Sequence, residues 1–162
     1  MDEDLRIMIA GGGTGGHLYP ALAIGEEITN RKPDTTVHYV GSNFGLEARV
    51  LPERGLPHTL LPISGLQRSF SPRSIGRNLM LVGRVPLALL KVRSLCKTME
   101  PNVIVGTGGY ASALPVKVGI GWNIPTVIQE QNSYPGLTTR LFAKPATAVY
   151  TGTSDTGTYL DT

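Results

Sequence analysis

The sequence has one cysteine, Cys96, among 162 residues, so no internal disulfide can form. It has no cluster of Cys and His at zinc-ligand spacing. Aromatic residues make up only 6% of the chain and are not interleaved with basic ones, so nucleic acid is not an expected partner. The longest apolar stretch, LMLVGRVPLALL, is interrupted by Arg84 and Pro86. It falls short of the ~20 residues needed to span a bilayer. The amino terminus, MDEDLR, is acidic, the reverse of a secretory signal's basic start. Together these absences suggest a cytosolic protein.

One absence is local. Between Glu53 and Glu100 there is no acidic residue, yet the interval holds Arg54, Arg68, Arg73, Arg77, Arg84, Lys91, Arg93 and Lys97, 8 of the 15 basic residues. That segment has a different electrostatic task from the rest of the chain. The composition of the whole chain is ordinary: 41% hydrophobic and 17% charged residues describe a globular protein. The length suits a single domain.

Short apolar runs alternate with helix-like stretches. Strands are expected at Arg6–Ala10, Thr36–Val40, Thr59–Ile63, Asn102–Gly106, Thr126–Gln129 and Ala146–Tyr150. Being apolar throughout, they suit parallel strands covered on both faces. Helices are expected at roughly His17–Arg31, Leu46–Arg54, Ser74–Met99 with a break near Pro86, Ser112–Trp122 and Gly136–Ala143. The alternation predicts an α/β fold, a doubly wound parallel sheet of Rossmann-like type. The tail, TGTSDTGTYLDT, reads as loop or frayed end.

Gly11-Gly12-Gly13-Thr14-Gly15-Gly16-His17 follows the first strand and opens a helix. Bare backbone N–H groups at a helix N-terminus suit a phosphate or pyrophosphate. The alternative is a tight strand-to-helix turn without a ligand. Gly11, Gly13 and Gly16 satisfy G-x-G-x-x-G, but the second strand runs into Val40-Gly41-Ser42-Asn43 with no carboxylate for a ribose, and no Lys follows to make a Walker loop. A second loop, Gly106-Thr107-Gly108-Gly109-Tyr110, ends another strand and opens another helix, so two loops could hold one anionic group. A third cluster, Gln129-Glu130-Gln131-Asn132, suits hydrogen bonding to a sugar. Equally, Glu130 and Asn132 could cap the helix that starts near Gly136.

GGGTGGHLYPALAIGEEI, the ISGL stretch at Ile63–Leu66, VGTGGYASALP and IPTVIQEQNSYPGLTTRLFAK together resemble the MurG family, the peptidoglycan N-acetylglucosaminyltransferases of glycosyltransferase family 28. The resemblance runs in register from about Arg6 to Tyr150 and implies the amino-terminal half of a GT-B enzyme. By that resemblance residues 1–150 form an acceptor-binding domain. By the same resemblance residues 151–162 are expected to be a polar tail outside the family pattern, with the donor-binding domain absent.

The reaction implied is transfer of N-acetylglucosamine from UDP-N-acetylglucosamine to lipid I. Gly12, Gly13, Thr14, Gly15, Gly16, Gly106, Thr107, Gly108, Gly109 and Tyr110 would bind the acceptor pyrophosphate. His17 and Glu130 would be catalytic, with His17 as general base, and Gln131 and Asn132 would lie on the sugar and donor side. A helix N-terminus disfavours a cationic ring, which suits a base. A phosphate-capping donor is the other role open to His17. Gln129 stands where the family usually has His. His38 and His58 are expected to be structural or solvent-exposed. Asp2-Glu3-Asp4 has D-x-D spacing but precedes the first strand, so no metal is expected, and no cofactor besides the donor substrate.

Arg77, Arg84 and Lys91 recur every seven residues, with Arg73 a turn before Arg77, so a helix would align them along one side. With Ile75, Leu79 and Val82 they describe a contact with an anionic membrane surface. The alternative is an amphipathic helix with a solvated basic face. The family implication is a peripheral protein on the cytoplasmic face of the plasma membrane, working with a donor-binding carboxyl-terminal domain in the same or a separate chain. The alternatives are a non-catalytic membrane-recruiting subunit or an inactive fragment that binds a lipid pyrophosphate.

Overall fold

A computed structural model describes residues 4–65 and 71–160, without the side chains of 72–78 and 80. The elements follow in strict alternation: β1 (Arg6–Ala10), α1 (Gly15–Arg31), β2 (Thr36–Ser42), α2 (Glu47–Glu53), β3 (His58–Leu61), α3 (Pro72–Met99), β4 (Val103–Gly106), α4 (Tyr110–Gly121), β5 (Thr126–Glu130), α5 (Leu137–Phe142) and β6 (Ala148–Thr151). The strands form one parallel sheet in the order β3-β2-β1-β4-β5-β6, the doubly wound arrangement.

β1 explains the two layers. Its side chains alternate across the sheet. Met8 and Ala10 join Leu61, Ile104, Val118 and the α3 residues Ala88, Val92 and Cys96 on one face. Ile7 and Ile9 join Val37, Tyr39, Val105, Leu51 of α2 and Leu18, Ala21 and Leu22 of α1 on the other. Burial in the first layer pushes the Cys96 thiol up to about 11, so the lone cysteine is an inert core residue.

The order reverses between β1 and β4. β1 pairs β2 on one side and β4 on the other, with Ala10 opposite Gly106. The two glycine loops therefore leave the sheet side by side, at the switch point where such folds bind ligands.

Three expectations need correction. α3 is not broken at Pro86 but runs unbroken from Pro72 to Met99. Pro86 removes one backbone hydrogen bond, and the turns beyond it are held by Ala88, Val92 and Cys96, spaced four apart and buried on the sheet. β6 starts at Ala148 rather than Ala146, because the Ala146 N–H still donates to Phe142 and Ala143 at the end of α5. The tail is not frayed through Leu160: Ser154–Tyr159 forms a 3-10 helix. Buried Thr156 donates to the Asn132 carbonyl at 2.8 Å, and Tyr159 meets Tyr134 edge-on at 5.1 Å.

The central strands set the stability. Ile104 is fully buried in β4, so Ile104→Ala should lower the unfolding free energy by about 2–5 kcal/mol in denaturant titration. A loss under about 1 kcal/mol would mean that the layer between β4 and α3 is loosely packed.

Candidate functional site

Most of the bareness of the first glycine loop is explained by the protein's own side chains. A Cβ on Gly11 would collide with Thr107 Oγ1, and one on Gly12 with the Glu47 carboxylate. At Gly13 it would lie 2.6 Å from the Tyr110 ring, and φ is +90°, a backbone conformation suited to glycine. Gly16 differs: its Cβ would meet nothing closer than Thr14 Oγ1 at 3.7 Å. Among the described residues the N–H groups of Thr14, Gly15 and Gly16 donate to nothing. They are the open donors at the start of α1.

Glu47 is the residue that sequence reasoning missed. It begins α2 and is fully buried. Its carboxylate accepts the Gly13 N–H at 3.0 and 2.9 Å and the Ser42 N–H at 2.9 Å. Cβ atoms at Gly41 and Gly45 would collide with it as well. So a carboxylate does reach the loop, although none stands at the end of β2. It faces backbone donors rather than open space, which leaves the ribose role of the dinucleotide fingerprint unfilled. The signal in the sequence was the pair of glycines, Gly41 and Gly45, shortly before Glu47.

The second loop packs against the first. A Cβ at Gly109 would strike the Gly12 carbonyl, and φ there is +74°. Buried Thr107 donates its hydroxyl to the His17 carbonyl at 2.8 Å. The Tyr110 hydroxyl reaches Ser42 Oγ at 3.4 Å. The N–H groups of Gly108 and Gly109 have no partner among the described residues. The predicted residues Gly12–Gly16 and Gly106–Tyr110 thus meet in one place.

His17 lies where the loops converge. Its ring rests on the second loop, so that a Cβ at Gly108 would sit 2.7 Å from Nδ1 and one at Gly109 3.0 Å from Cδ2. Nδ1 stands 3.2 Å from the Thr107 carbonyl and 2.6 Å from the Gln131 side-chain amide. Nε2 makes no hydrogen bond among the described residues. Gln131 therefore turns toward His17.

Glu130 takes the capping place that the sequence left open beside a catalytic one. It is 1% exposed. Oε1 accepts the Asn132 N–H at 3.0 Å and Asn132 Nδ2 at 2.7 Å, while Oε2 accepts the Gly136 N–H at 2.9 Å and the Thr139 hydroxyl at 2.6 Å. With both oxygens engaged, Glu130 holds the 131–136 loop and the start of α5, and no oxygen is left to face a substrate. Burial pushes its carboxyl up, but the bonds from Thr139, Gly136 and Asn132 outweigh burial and hold it below the ordinary value. Asn132 stays exposed, tied to Glu130 through Nδ2. Gln129 keeps a buried Oε1 without a partner.

On α3, Leu79 and Val82 are 72% and 68% exposed, and Leu87 and Leu90 are exposed beyond them. Arg84 places its guanidinium 5.1 Å from the Phe44 ring centre, and Lys91 Nζ donates to the Leu60 carbonyl at 2.8 Å. Arg73, Ile75 and Arg77 fall within the helix, with side chains outside the description. Leu66, Arg68, Phe70, Asp2 and Glu3 also lie outside the described residues. No helix among the described residues is long and apolar enough to cross a membrane. His38 bonds Thr59 Oγ1 and His58 the Leu56 carbonyl, so both serve the sheet.

The depressed Glu130 carboxyl makes a testable contribution. A carboxyl held low in the folded protein stabilises fully above its unfolded value near 4.5 and loses that contribution as pH falls through the folded value. Glu130→Gln should cost on the order of 2 kcal/mol at neutral pH. The gap to the parent should narrow steadily as denaturation is repeated at acid pH. A gap independent of pH would remove the charge from the account.

Residues 7–151 match the Glycosyltransferase family 28 N-terminal domain. The UDP-N-acetylglucosamine–N-acetylmuramyl-(pentapeptide) pyrophosphoryl-undecaprenol N-acetylglucosamine transferase of Desulforudis audaxviator is 46% identical over 142 residues, covering 88% of this chain and 37% of that protein. The enzyme of the same name from Christiangramia forsetii is 40% identical over 149 residues, covering 92% and 40%. The chain thus spans about two fifths of the length of these curated relatives. The crystal structure of Acinetobacter baumannii MurG superposes with a TM-score of 0.72 over 94% of this chain and 42% of its own, at 24% identity, a likeness of fold. The chain belongs to glycosyltransferase family 28 and carries its N-terminal domain.

Proposed function

We propose that this chain is the acceptor-binding half of an inverting hexosyltransferase that moves N-acetylglucosamine from UDP-N-acetylglucosamine to a lipid-linked muramyl-pentapeptide pyrophosphate, lipid I. The observation that carries the reading is the meeting of two glycine loops at the switch point. Each contributes N–H groups that have no partner among the described residues, and an imidazole whose Nε2 has none there either stands between them. The relatives' names supply the substrates.

In this reading the N–H groups of Thr14, Gly15, Gly16, Gly108 and Gly109 receive the pyrophosphate oxygens. Held by its pyrophosphate, the acceptor sugar presents a hydroxyl to His17. Nε2 takes the hydroxyl proton as the oxygen attacks the anomeric carbon, the bond from that carbon to UDP breaks, and UDP leaves with the electron pair. A donor-binding domain, in the same or a separate chain, holds the UDP-sugar. The same open N–H groups, which need no base to bind an anion, suit one further reading, a recruiting subunit that binds the lipid pyrophosphate without turnover. Mixing the chain with a donor-binding half and assaying sugar transfer separates the two.

The exposed leucines and valines of α3, in a segment without acidic residues, would rest on the cytoplasmic face of an anionic membrane, each nearby cation adding about 1 kcal/mol.

Two predictions test this. In the mixed assay His17→Ala should lower kcat by roughly 10²–10⁴-fold and leave acceptor affinity little changed. Equal losses in both would make His17 a phosphate donor instead. The chain should co-sediment with anionic vesicles and be released by raised salt. Lipid I should add binding that pyrophosphate competes and that Gly16→Val abolishes. Indifference to salt and lipid charge would sink the membrane contact.

A further inference from the structure

The two neighbours of His17 Nδ1 make opposite demands on its proton. The Thr107 carbonyl, 3.2 Å from Nδ1, can only accept, so it requires the ring proton on Nδ1. The Gln131 amide, 2.6 Å from the same nitrogen, presents Nε2, a donor that would require a lone pair there. Nδ1 cannot satisfy both. The Thr107 carbonyl is main chain, fixed because Thr107 N–H bonds Ala10 of β1 and its hydroxyl bonds the His17 carbonyl. The amide is free to exchange its terminal atoms by a half-turn about its last torsion. Gln131 Oε1 is buried and, among the described residues, has no partner as it stands. After the half-turn that oxygen meets Nδ1–H, and the ring proton serves two acceptors.

We propose that Gln131 is a positioning residue that selects the tautomer of His17. With Oε1 toward the ring, the proton stays on Nδ1 and Nε2 keeps its lone pair, the form that can accept a proton. With Nε2 toward the ring, the proton moves to His17 Nε2, which then only donates. The half-turn of one amide thus separates the base form of His17 from its phosphate-donor form, and the Thr107 carbonyl weights the balance toward the base. The consequence for catalysis rests on the proposed role of His17, whereas the tautomer itself does not.

Long-range proton–nitrogen correlation spectra of the chain labelled at histidine nitrogen, at an alkaline pH where the ring is neutral, read the tautomer directly. The parent should show a protonated Nδ1 and an unprotonated Nε2. Gln131→Leu, which leaves one acceptor, should raise the Nε2-protonated fraction severalfold. Gln131→Glu, which can only accept, should keep the parent pattern. A parent protonated on Nε2, no change in Gln131→Leu, or a shift to Nε2–H in Gln131→Glu would each overturn the proposal. In the mixed transfer assay, Gln131→Leu should lower kcat in proportion to the Nδ1-protonated fraction that the spectra show to be lost, at unchanged acceptor KM, with recovery in Gln131→Glu. If the spectra behave as expected while His17→Ala retains full transfer, the base role fails and the tautomer assignment stands.

Discussion

Buried carboxylates that accept backbone N–H groups hold the upper edge of this sheet together. A parallel strand ends in a loop whose amides have no ladder partner, and such amides are costly to bury unpaired. Glu47 answers that need between the loops after β1 and β2, where it takes the Gly13 and Ser42 amides. Glu130 answers it after β5, taking the Asn132 and Gly136 amides and the Thr139 hydroxyl. Charge-assisted bonds of this kind are roughly twice as strong as neutral ones. They fix loop geometry that glycine, with its wide conformational choice, would otherwise leave loose.

The glycines and the carboxylates therefore explain each other. Gly12, Gly41 and Gly45 are bare because the Glu47 side chain fills the space where their Cβ atoms would be. Gly13 is bare because Tyr110 does, and Gly11 because Thr107 does. What remains open after this internal packing is a narrow set of donors around Thr14–Gly16 and Gly108–Gly109. A side chain at Gly11, Gly12 or Gly13 would act first on the fold and only then on a ligand. Gly16 is the position in the loop where the two effects separate.

The fold was legible because its signal is local. Six short apolar runs separated by helix-length gaps suffice to indicate a parallel doubly wound sheet, and β1 spans Arg6–Ala10 as its sequence leads one to expect. The errors came where a distant contact overrode a local cue. Pro86 suggested a break, but Ala88, Val92 and Cys96 anchor the turns beyond it. The small polar tail suggested fraying, but Thr156 finds a buried carbonyl on Asn132. Glu47 was invisible to a search for an acid at the strand end, since it lies in the next helix and turns back. In QEQN, sequence left Glu130 between a place facing substrate and a cap on the next helix, and strand alternation turns it away from Gln129. There Thr139 and Gly136 engage it.

His17 shows the same division most sharply. From sequence its two roles, proton acceptor and phosphate donor, stand level, because either suits a ring at a helix start beside a glycine loop. They are the two tautomers of one neutral imidazole. The atoms that choose between them belong to Thr107 and Gln131, which lie 90 and 114 residues further along the chain. β4 delivers Thr107 through its pairing with β1, and β5 delivers Gln131 through its pairing with β4. The strand order that creates the switch point thus also brings to the ring the two acceptors that set its proton. The chemistry open to His17 is in this sense a property of the sheet, fixed by the neighbours that β1 and β4 keep.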